Sequence, residues 1–186
     1  MVTLVLVCTG TKYNEWYINN IIHMIKTNSN LIYDNIKIFR KGEGNVFDKL
    51  QMFKECTGKG YYIYFDLDVI IKGDIKHLLK KEFTTLFAWW RRPAHTPLNS
   101  SIMSWSGDNS YIYNNFFKRE DYNKVKYWKG IDEYIYKEIQ YKLYEKVCWS
   151  YAFNKEKLHY PVCLLNHGFS KTIKNITWAQ EYLLLE

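Results

Sequence analysis

Two carboxylates separated by one residue, Asp66 and Asp68, follow the apolar run Tyr61–Phe65. Such a run is typical of a strand buried on both faces, and open α/β sheets bind ligands at the carboxyl ends of these strands. Side chains two positions apart in an extended segment point to the same side, so both carboxylates can face one hard cation that carries diphosphate oxygens. The pair is a weak motif alone, and its position after this strand is what predicts a site for a metal and a nucleotide.

Two further groups suit a nucleotide. The apolar run Val2–Val7 ends in Thr9-Gly10-Thr11, and a glycine-containing loop after a first buried strand is where many α/β proteins hold a nucleotide. Tyr13 follows this loop, where it either stacks on a base or opens the next helix as a core residue. Lys49 borders an apolar helix face, where it either reaches a phosphate or remains a solvated lysine.

The elements that must position these groups alternate between strand and helix. Apolar residues at helical spacing predict a helix from Trp16 that ends at Asn28–Asn30, and a looser alternation predicts a strand over Ile32–Phe39. Val46, Leu50 and Phe53 stand at i, i+4 and i+7, which predicts an amphipathic helix over 46–56. This order predicts an α/β fold in which a mostly parallel central sheet is flanked by helices.

The second half of the chain continues with shorter elements. The predicted elements are a helix over 75–80 capped by Asp74, a strand over 85–90, the polar cluster Asn99-Ser100-Ser101 before another strand, two or three helices over 109–140 with Gly130-Ile131-Asp132-Glu133 starting the last, a strand over 161–165 leading to Asn166-His167-Gly168, and a helix over 178–184.

Composition limits the classes of protein to consider. With 186 residues, 47% of them hydrophobic, the chain is predicted to form one domain, over 1–186, with a sizeable core. The formal net charge of +7 suits an anionic partner, such as a nucleotide, a nucleic acid or an acidic surface. Because the lysines and arginines are scattered, a solvated basic surface explains this charge as well as a phosphate groove does.

The cysteine pattern indicates the compartment. Cys8, Cys56, Cys148 and Cys163 lie far apart and form no Cys-x-x-Cys pair, which favours buried free thiols in a reducing compartment over disulfides or a zinc site. No apolar run approaches the roughly 18 residues of a transmembrane helix, and the first apolar run lacks the flanks of a signal peptide. These features predict a cytoplasmic protein.

Taken together, five motifs resemble a small GT-A glycosyltransferase related to family 8, the glycogenin-like group, of the type found in large DNA viruses, phages and bacteria. Their order and spacing extend over nearly the whole chain. In chain order they are Thr9-Gly10-Thr11-Lys12-Tyr13 after the first strand, Asp48-Lys49-Leu50 with Phe53, Asp66-Leu67-Asp68 with Val69–Asp74, Asn99-Ser100-Ser101-Ile102-Met103 with Trp105, and Gly130-Ile131-Asp132-Glu133 followed by His167-Gly168-Phe169-Ser170-Lys171.

The resemblance implies a metal-dependent hexosyltransferase. It would move a sugar from a nucleotide-diphosphate sugar, with a UDP-sugar foremost, to a glycan or glycoprotein acceptor, and for a viral protein this would happen in the host cytoplasm. The resemblance also implies that Asp66 and Asp68 hold Mn²⁺ or Mg²⁺, that His167 completes the metal shell, and that Lys171 neutralises the diphosphate. Such a cation bridges the diphosphate and stabilises charge on the leaving nucleotide.

The remaining implied donor contacts surround this centre. Thr9, Tyr13 and Lys49 match positions around the base and ribose, and Asn99 and Ser100 match positions near the donor sugar. The full cofactor-binding set implied by the resemblance is Thr9, Gly10, Thr11, Tyr13, Lys49, Asp66, Leu67, Asp68, Asn99, Ser100, Gly168 and Lys171.

Asp132 and Glu133 are the implied catalytic pair. Glycosyl transfer needs a group that stabilises positive charge at the anomeric carbon, and an inverting route also needs a base. A carboxylate at a helix N-terminus stays ionised, so we expect Asp132 to position the sugar and Glu133 to be the base. The alternative is that Asp132 only caps the helix. The short segment 106–129 leaves little protein to shape an acceptor pocket.

Two other functions fit parts of the sequence. A haloacid-dehalogenase-like phosphohydrolase would use Asp66 as its nucleophile and Asp68 as general acid, but that group usually has Gly directly after the second Asp, where Val69 stands here. An RNA-binding module would use the 17 tyrosines and 7 tryptophans to stack on bases. These aromatics are spread through apolar runs, which favours core packing, so we expect no nucleic-acid partner.

Overall fold

A computed structural model describes residues 1–92 and 95–184 of the protein. The strands of the described residues are β1 (Val2–Val7), β2 (Asn35–Phe39), β3 (Tyr61–Phe65), β4 (Val69–Ile71), β5 (Thr84–Phe87), β6 (Leu98–Ser106), β7 (Lys142–Leu143), β8 (Cys148–Ser150) and β9 (Val162–Leu164). The helices are α1 (Glu15–Asn28), α2 (Gln51–Glu55), α3 (Ser110–Phe117), α4 (Glu120–Lys126) and α5 (Ile131–Glu138), with 3₁₀ turns at Val46–Leu50, Lys76–Leu78, Phe169–Asn175 and Thr177–Tyr182.

The central sheet contains six strands in the order β2-β1-β3-β6-β5-β7. Strand β1 is parallel to β2 and β3, and β5 is parallel to β7, whereas β6 runs antiparallel to both β3 and β5. A smaller sheet joins β4, β9 and β8. The predicted α/β class, with a mostly parallel central sheet flanked by helices, is confirmed.

The core covers both faces of the central sheet. In β1 the side chains alternate, with Leu4 and Leu6 in one apolar cluster and Val5 and Val7 in the other. One cluster includes the apolar side of α1, and the other includes α2, α3 and α5. Because both faces are covered, β1 and β3 read as continuous apolar runs rather than alternating ones.

Several predicted boundaries change in the structure. The strand expected over 32–39 begins only at Asn35, and the strand expected over 85–90 ends at Phe87. The polar cluster that begins at Asn99 lies inside β6 rather than before it, because β6 pairs with β5 from Leu98 onward, across a register shift. The helix expected over 75–80 is a single 3₁₀ turn, and the helix expected over 178–184 is a 3₁₀ segment.

The four cysteines are free thiols, as the sequence predicts. Cys56, Cys148 and Cys163 are buried free thiols, and Cys8 is a half-buried one. Within 1–92 and 95–184, no helix has both the length and the apolar character needed to cross a membrane.

Two loops at the carboxyl edge of the sheet touch through glycines. Gly10 and Gly44 both have positive φ, +67° and +77°. A Cβ on Gly10 would lie 2.7 Å from the Cα of Gly44, and one on Gly44 would lie 3.0 Å from the Cα of Gly10. Only glycine allows this approach, which closes one wall of the site described below.

We expect Gly44→Ala to lower the free energy of unfolding by at least about 2 kcal/mol, because it adds a steric clash to an unfavourable backbone conformation. Gly107→Ala is the matched control, since Gly107 has the same φ of +77° with nothing within 4 Å of an added Cβ. It should cost only about 1 kcal/mol. Urea denaturation measures both, and equal losses would show that the contact between the loops contributes nothing.

Candidate functional site

A cavity of about 320 Å³ lies where the carboxyl ends of β1 and β3 meet the start of β6. Because β6 is antiparallel to β3, its first residues stand at the same edge as the last residues of β3. The start of α5 and the segment after β9 complete the wall. The predicted site residues that line the cavity are Thr9, Tyr13, Lys49, Asp66, Leu67, Asp68, Asn99, Ser100, Asp132 and His167.

Five predicted residues are not among those that line this cavity. Gly10 supports the wall through its contact with Gly44, and Thr11 is exposed in the same loop. Gly168 and Lys171 lie at the 3₁₀ turn that follows His167, with the Lys171 side chain exposed. Glu133 is buried in α5. For Thr11, Gly168 and Lys171, a ligand contact stays a prediction.

Lys49 is positioned by a capping box at the preceding residues. The Asn45 side chain accepts a hydrogen bond from the Phe47 amide at 2.8 Å, while the Asp48 carboxylate accepts from the amides of Gly44 at 2.7 Å and Asn45 at 3.2 Å. These bonds fold the loop tightly and start the helical segment that carries Lys49. The Lys49 side chain then reaches the end of β3.

Asp66 is neutralised by this lysine. The Lys49 ammonium lies 2.6 Å from Oδ1 and 2.9 Å from Oδ2 of Asp66, and the Tyr64 hydroxyl also donates to Oδ1. Burial by itself raises the pKa of Asp66, but the Lys49 charge and the hydrogen bonds from Lys49, Tyr64 and Ser101 hold that pKa below its ordinary value. Asp66 therefore stays ionised at neutral pH.

Asp68 has less compensation. Its Oδ2 accepts a hydrogen bond from the Tyr13 hydroxyl at 2.7 Å and lies 3.5 Å from the Lys12 ammonium. Burial and the neighbouring Asp66 charge raise the pKa of Asp68. Its Oδ1 accepts no hydrogen bond from any described residue, so this oxygen remains open to a cation, which would relieve the repulsion between the two carboxylates.

The side chains available as metal ligands suit a cation that also binds oxygens of the substrate. Within the described ranges, no three or more His, Cys, Asp or Glu side chains form a ready metal cluster. His167 lines the same cavity as the two carboxylates. The predicted metal shell of Asp66, Asp68 and His167 is not preassembled, because Lys49 contacts both carboxylate oxygens of Asp66. Mg²⁺ in nucleotide enzymes is usually held by one or two carboxylates plus phosphates, and Asp68 meets that requirement.

Asp132 connects α5 to the start of β6. Its Oδ1 accepts from the Ser100 amide at 2.9 Å, and its Oδ2 accepts from Arg91 at 2.7 Å. The residue at the cap position of α5 is Gly130, with φ of +92° and no side-chain cap bond. The alternative in which Asp132 caps the helix is therefore wrong, because both of its oxygens bind groups outside α5.

Glu133 is held on the helix instead. Its carboxylate accepts from the Lys137 ammonium at 2.8 Å and from the Lys129 amide at 3.2 Å. The hydrogen bond from Lys137 lowers the pKa of Glu133 below its ordinary value, which weakens it as a base. The geometry gives no support to the catalytic base predicted here.

Two residues at the site, Arg91 and Lys129, were not predicted from the sequence. Arg91 does not line this cavity, but it donates to Asp132 and also to the Leu98 carbonyl and the Thr96 hydroxyl, so it ties Asp132 to the segment that leads into β6. Its signal was the unusual Trp89-Trp90-Arg91-Arg92 run after a strand. Lys129 directly precedes Gly130 and lines the cavity, but no local pattern distinguishes it from other exposed lysines.

Comparisons with known proteins show which proteins share this fold. No family model and no curated protein sequence matches this chain. Among solved structures, a glycosyltransferase involved in the glycosylation of the major capsid of PBCV-1 has a TM-score of 0.64 at 8% identity, over 97% of this chain and 98% of that one. The glycosyltransferase GlyE of Streptococcus pneumoniae TIGR4 has a TM-score of 0.63 at 12% identity, over 99% of this chain.

The apo form of GlyE gives a TM-score of 0.62 at 13% identity. This chain spans 60% of the length of the GlyE chain, so it corresponds to part of that protein. The protein therefore has the fold of these glycosyltransferases. Its cavity lies at the carboxyl edge of the central sheet.

Lys49→Met should leave two mostly buried carboxylates side by side and lower the free energy of unfolding by about 2 kcal/mol. Urea denaturation near neutral pH measures the loss. Adding Asp66→Asn to Lys49→Met removes the unpaired charge, so most of the loss should be recovered. An equal loss in the single and double variants would contradict Lys49 as the counter-ion of Asp66.

Proposed function

We propose that the protein is a metal-dependent glycosyltransferase that moves a hexose from a nucleotide-diphosphate sugar, with a UDP-sugar as the first donor to test, to a glycan or protein acceptor. The observation that carries this proposal is the pair Asp66 and Asp68, with Lys49 and Lys12, in the cavity of a chain with a glycosyltransferase fold. A site that brings carboxylates and ammonium groups together suits a diphosphate that binds with a cation, because the carboxylates can hold the cation and the ammonium groups can contact the phosphates.

The diphosphate would lie among lysines. Lys12, Lys49 and Lys129 line the cavity from three separate segments, and each can donate to phosphate oxygens. Asp68 would hold Mn²⁺ or Mg²⁺ through its open oxygen, with His167 as a further ligand. The cation would offset charge that develops on the leaving nucleotide.

The nucleoside would lie beyond the diphosphate, at the wall formed by Thr9, Gly44 and Asn45. The Tyr13 ring is held in place because its hydroxyl donates to Asp68 and its ring packs edge-on against Tyr17 at 5.0 Å. A fixed ring beside this wall suits a base or ribose, which supports the predicted contacts of Thr9 and Tyr13.

The donor sugar would lie next to Asn99, Ser100 and Asp132. In the transfer, an acceptor hydroxyl oxygen bonds to the anomeric carbon while the bond from that carbon to the diphosphate oxygen breaks. The electron pair leaves with the nucleoside diphosphate, and the hydroxyl proton passes to the diphosphate or to water. Asp132 would accept hydrogen bonds from sugar hydroxyls, and Arg91 would act as its positioning residue.

The phosphohydrolase alternative has less support. An attacking carboxylate needs a free oxygen, and both oxygens of Asp66 are engaged by Lys49, with Tyr64 on one of them. The open carboxylate is that of Asp68, which is the residue expected to be the general acid in that mechanism.

A thermal-shift panel of UDP, GDP, TDP and CDP, each with and without Mn²⁺, tests the proposed donor. A ligand at about 100 times its Kd stabilises the folded state by about 2.7 kcal/mol, so the preferred nucleotide should raise the melting temperature, and more so with Mn²⁺. Asp68→Asn should abolish the Mn²⁺-dependent part. No shift with any nucleotide, or an undiminished Mn²⁺ effect in Asp68→Asn, would count against the proposal.

Asp132→Asn should lower turnover, followed as transfer or donor hydrolysis, by about a hundredfold or more while leaving nucleoside-diphosphate binding near normal. The reason is that an asparagine side chain cannot accept hydrogen bonds from both Arg91 and the sugar hydroxyls as the aspartate carboxylate does. Asp121→Asn, on the exposed side of α4, is the matched control and should keep wild-type turnover. Unchanged turnover in Asp132→Asn would remove Asp132 from the proposed sugar site.

A further inference from the structure

A second cavity, of about 720 Å³, adjoins the proposed donor site. The two cavities share Lys129, Asp132 and His167. The second one extends away from Asp66 and Asp68 and is formed by segments that follow β5 and β8. A ligand there would lie beside the sugar end of the proposed donor, because Asp132 belongs to both cavities.

Three large aromatic side chains, Trp90, Trp128 and Phe153, line this second cavity. Trp128 is 76% exposed, and within 1–92 and 95–184 it is the only exposed tryptophan. Phe153 is 58% exposed and Trp90 is half-buried in the same cavity. Large exposed apolar side chains that gather in one concave surface are typical of a ligand site rather than of a solvated surface.

Two of these rings, Phe153 and Trp90, are supported from behind by Trp89. Trp89 packs edge-on against both Phe153, at 5.4 Å, and Trp90, at 6.0 Å. The indole nitrogen of Trp89 donates to the Cys148 carbonyl at 2.7 Å, which anchors the group to β8. Phe153 and Trp90 therefore form a preorganised apolar surface, which reduces the entropy cost of binding a ligand.

The charge in this cavity is positive. Its carboxylate, Asp132, is already paired with Arg91. Arg92 is exposed and pairs with no carboxylate of the described residues, and Lys129 is exposed at the border with the donor cavity. The unbalanced cations predict a ligand that carries negative charge.

We propose that this cavity binds the acceptor, and that the acceptor is a glycan containing a uronic acid. Apolar faces of its pyranose rings would stack on Trp128 and Phe153, and the uronate would pair with Arg92. The proposal rests on the proposed glycosyltransferase function, since the shared Asp132 places an acceptor hydroxyl next to the donor sugar.

A glycan array of uronic-acid and neutral oligosaccharides tests this proposal, with a single-stranded oligonucleotide as a further probe. Wild-type protein should retain the uronic-acid glycans, and Trp128→Ala and Arg92→Gln should each weaken that retention by about tenfold or more. Tyr122→Ala and Arg119→Gln, which replace an exposed aromatic and an exposed arginine outside the cavity, should bind like wild type. Arg92→Gln should not weaken the binding of neutral glycans.

Three results would overturn the proposal: no retention of uronic-acid glycans by wild type, equal retention of neutral glycans or of the oligonucleotide, or undiminished retention by either Trp128→Ala or Arg92→Gln. The nucleotide thermal shift, measured on the same preparations, separates the two proposals. A shift without glycan retention overturns the acceptor site alone, whereas the absence of any shift in wild type overturns the donor function on which it rests.

Discussion

The compensation of two adjacent carboxylates is the interaction on which the rest of the site depends. The strand β3 ends with Asp66 and Asp68 in a largely buried position, where their charges repel each other. Lys49 neutralises Asp66, so Asp66 stays ionised, while burial and the Asp66 charge raise the pKa of Asp68. Asp68 has only the exposed Lys12 ammonium, at 3.5 Å, and the Tyr13 hydroxyl as partners, so its charge is compensated less closely than that of Asp66, which is a physical reason for a cation to bind there.

A second charged pair organises the other side of the cavity. Asp132 and Arg91 join the start of α5 to the start of β6 and to the segment after β5. Asp132 also belongs to both cavities, so one carboxylate stands between the proposed donor and acceptor. A cleft with cations on separate segments and few free carboxylates concentrates anions, in keeping with the net charge of +7.

The differences between prediction and structure have local causes. Asn99 lies within β6 because pairing with β5 extends further than the polar composition indicates. Glu133 stays a predicted base, and the structure adds that Lys137, one helical turn away, holds its carboxylate and lowers its pKa. Because 106–129 is short, we expected little protein to shape an acceptor pocket. The second cavity is formed largely by residues 90–92 and 150–153 and by Trp128.

The sequence by itself determined the α/β class, the buried strand β3 and the position of Asp66 and Asp68 at its end. These features depend on periodicity and on the order of elements, which are local properties of the chain. Only the tertiary structure decided that Lys49 meets Asp66, that Arg91 meets Asp132, and that Trp128 shares a cavity with Phe153. Each of these contacts joins segments that are distant in sequence, and side-chain reach across a folded sheet leaves no periodic signal in the chain.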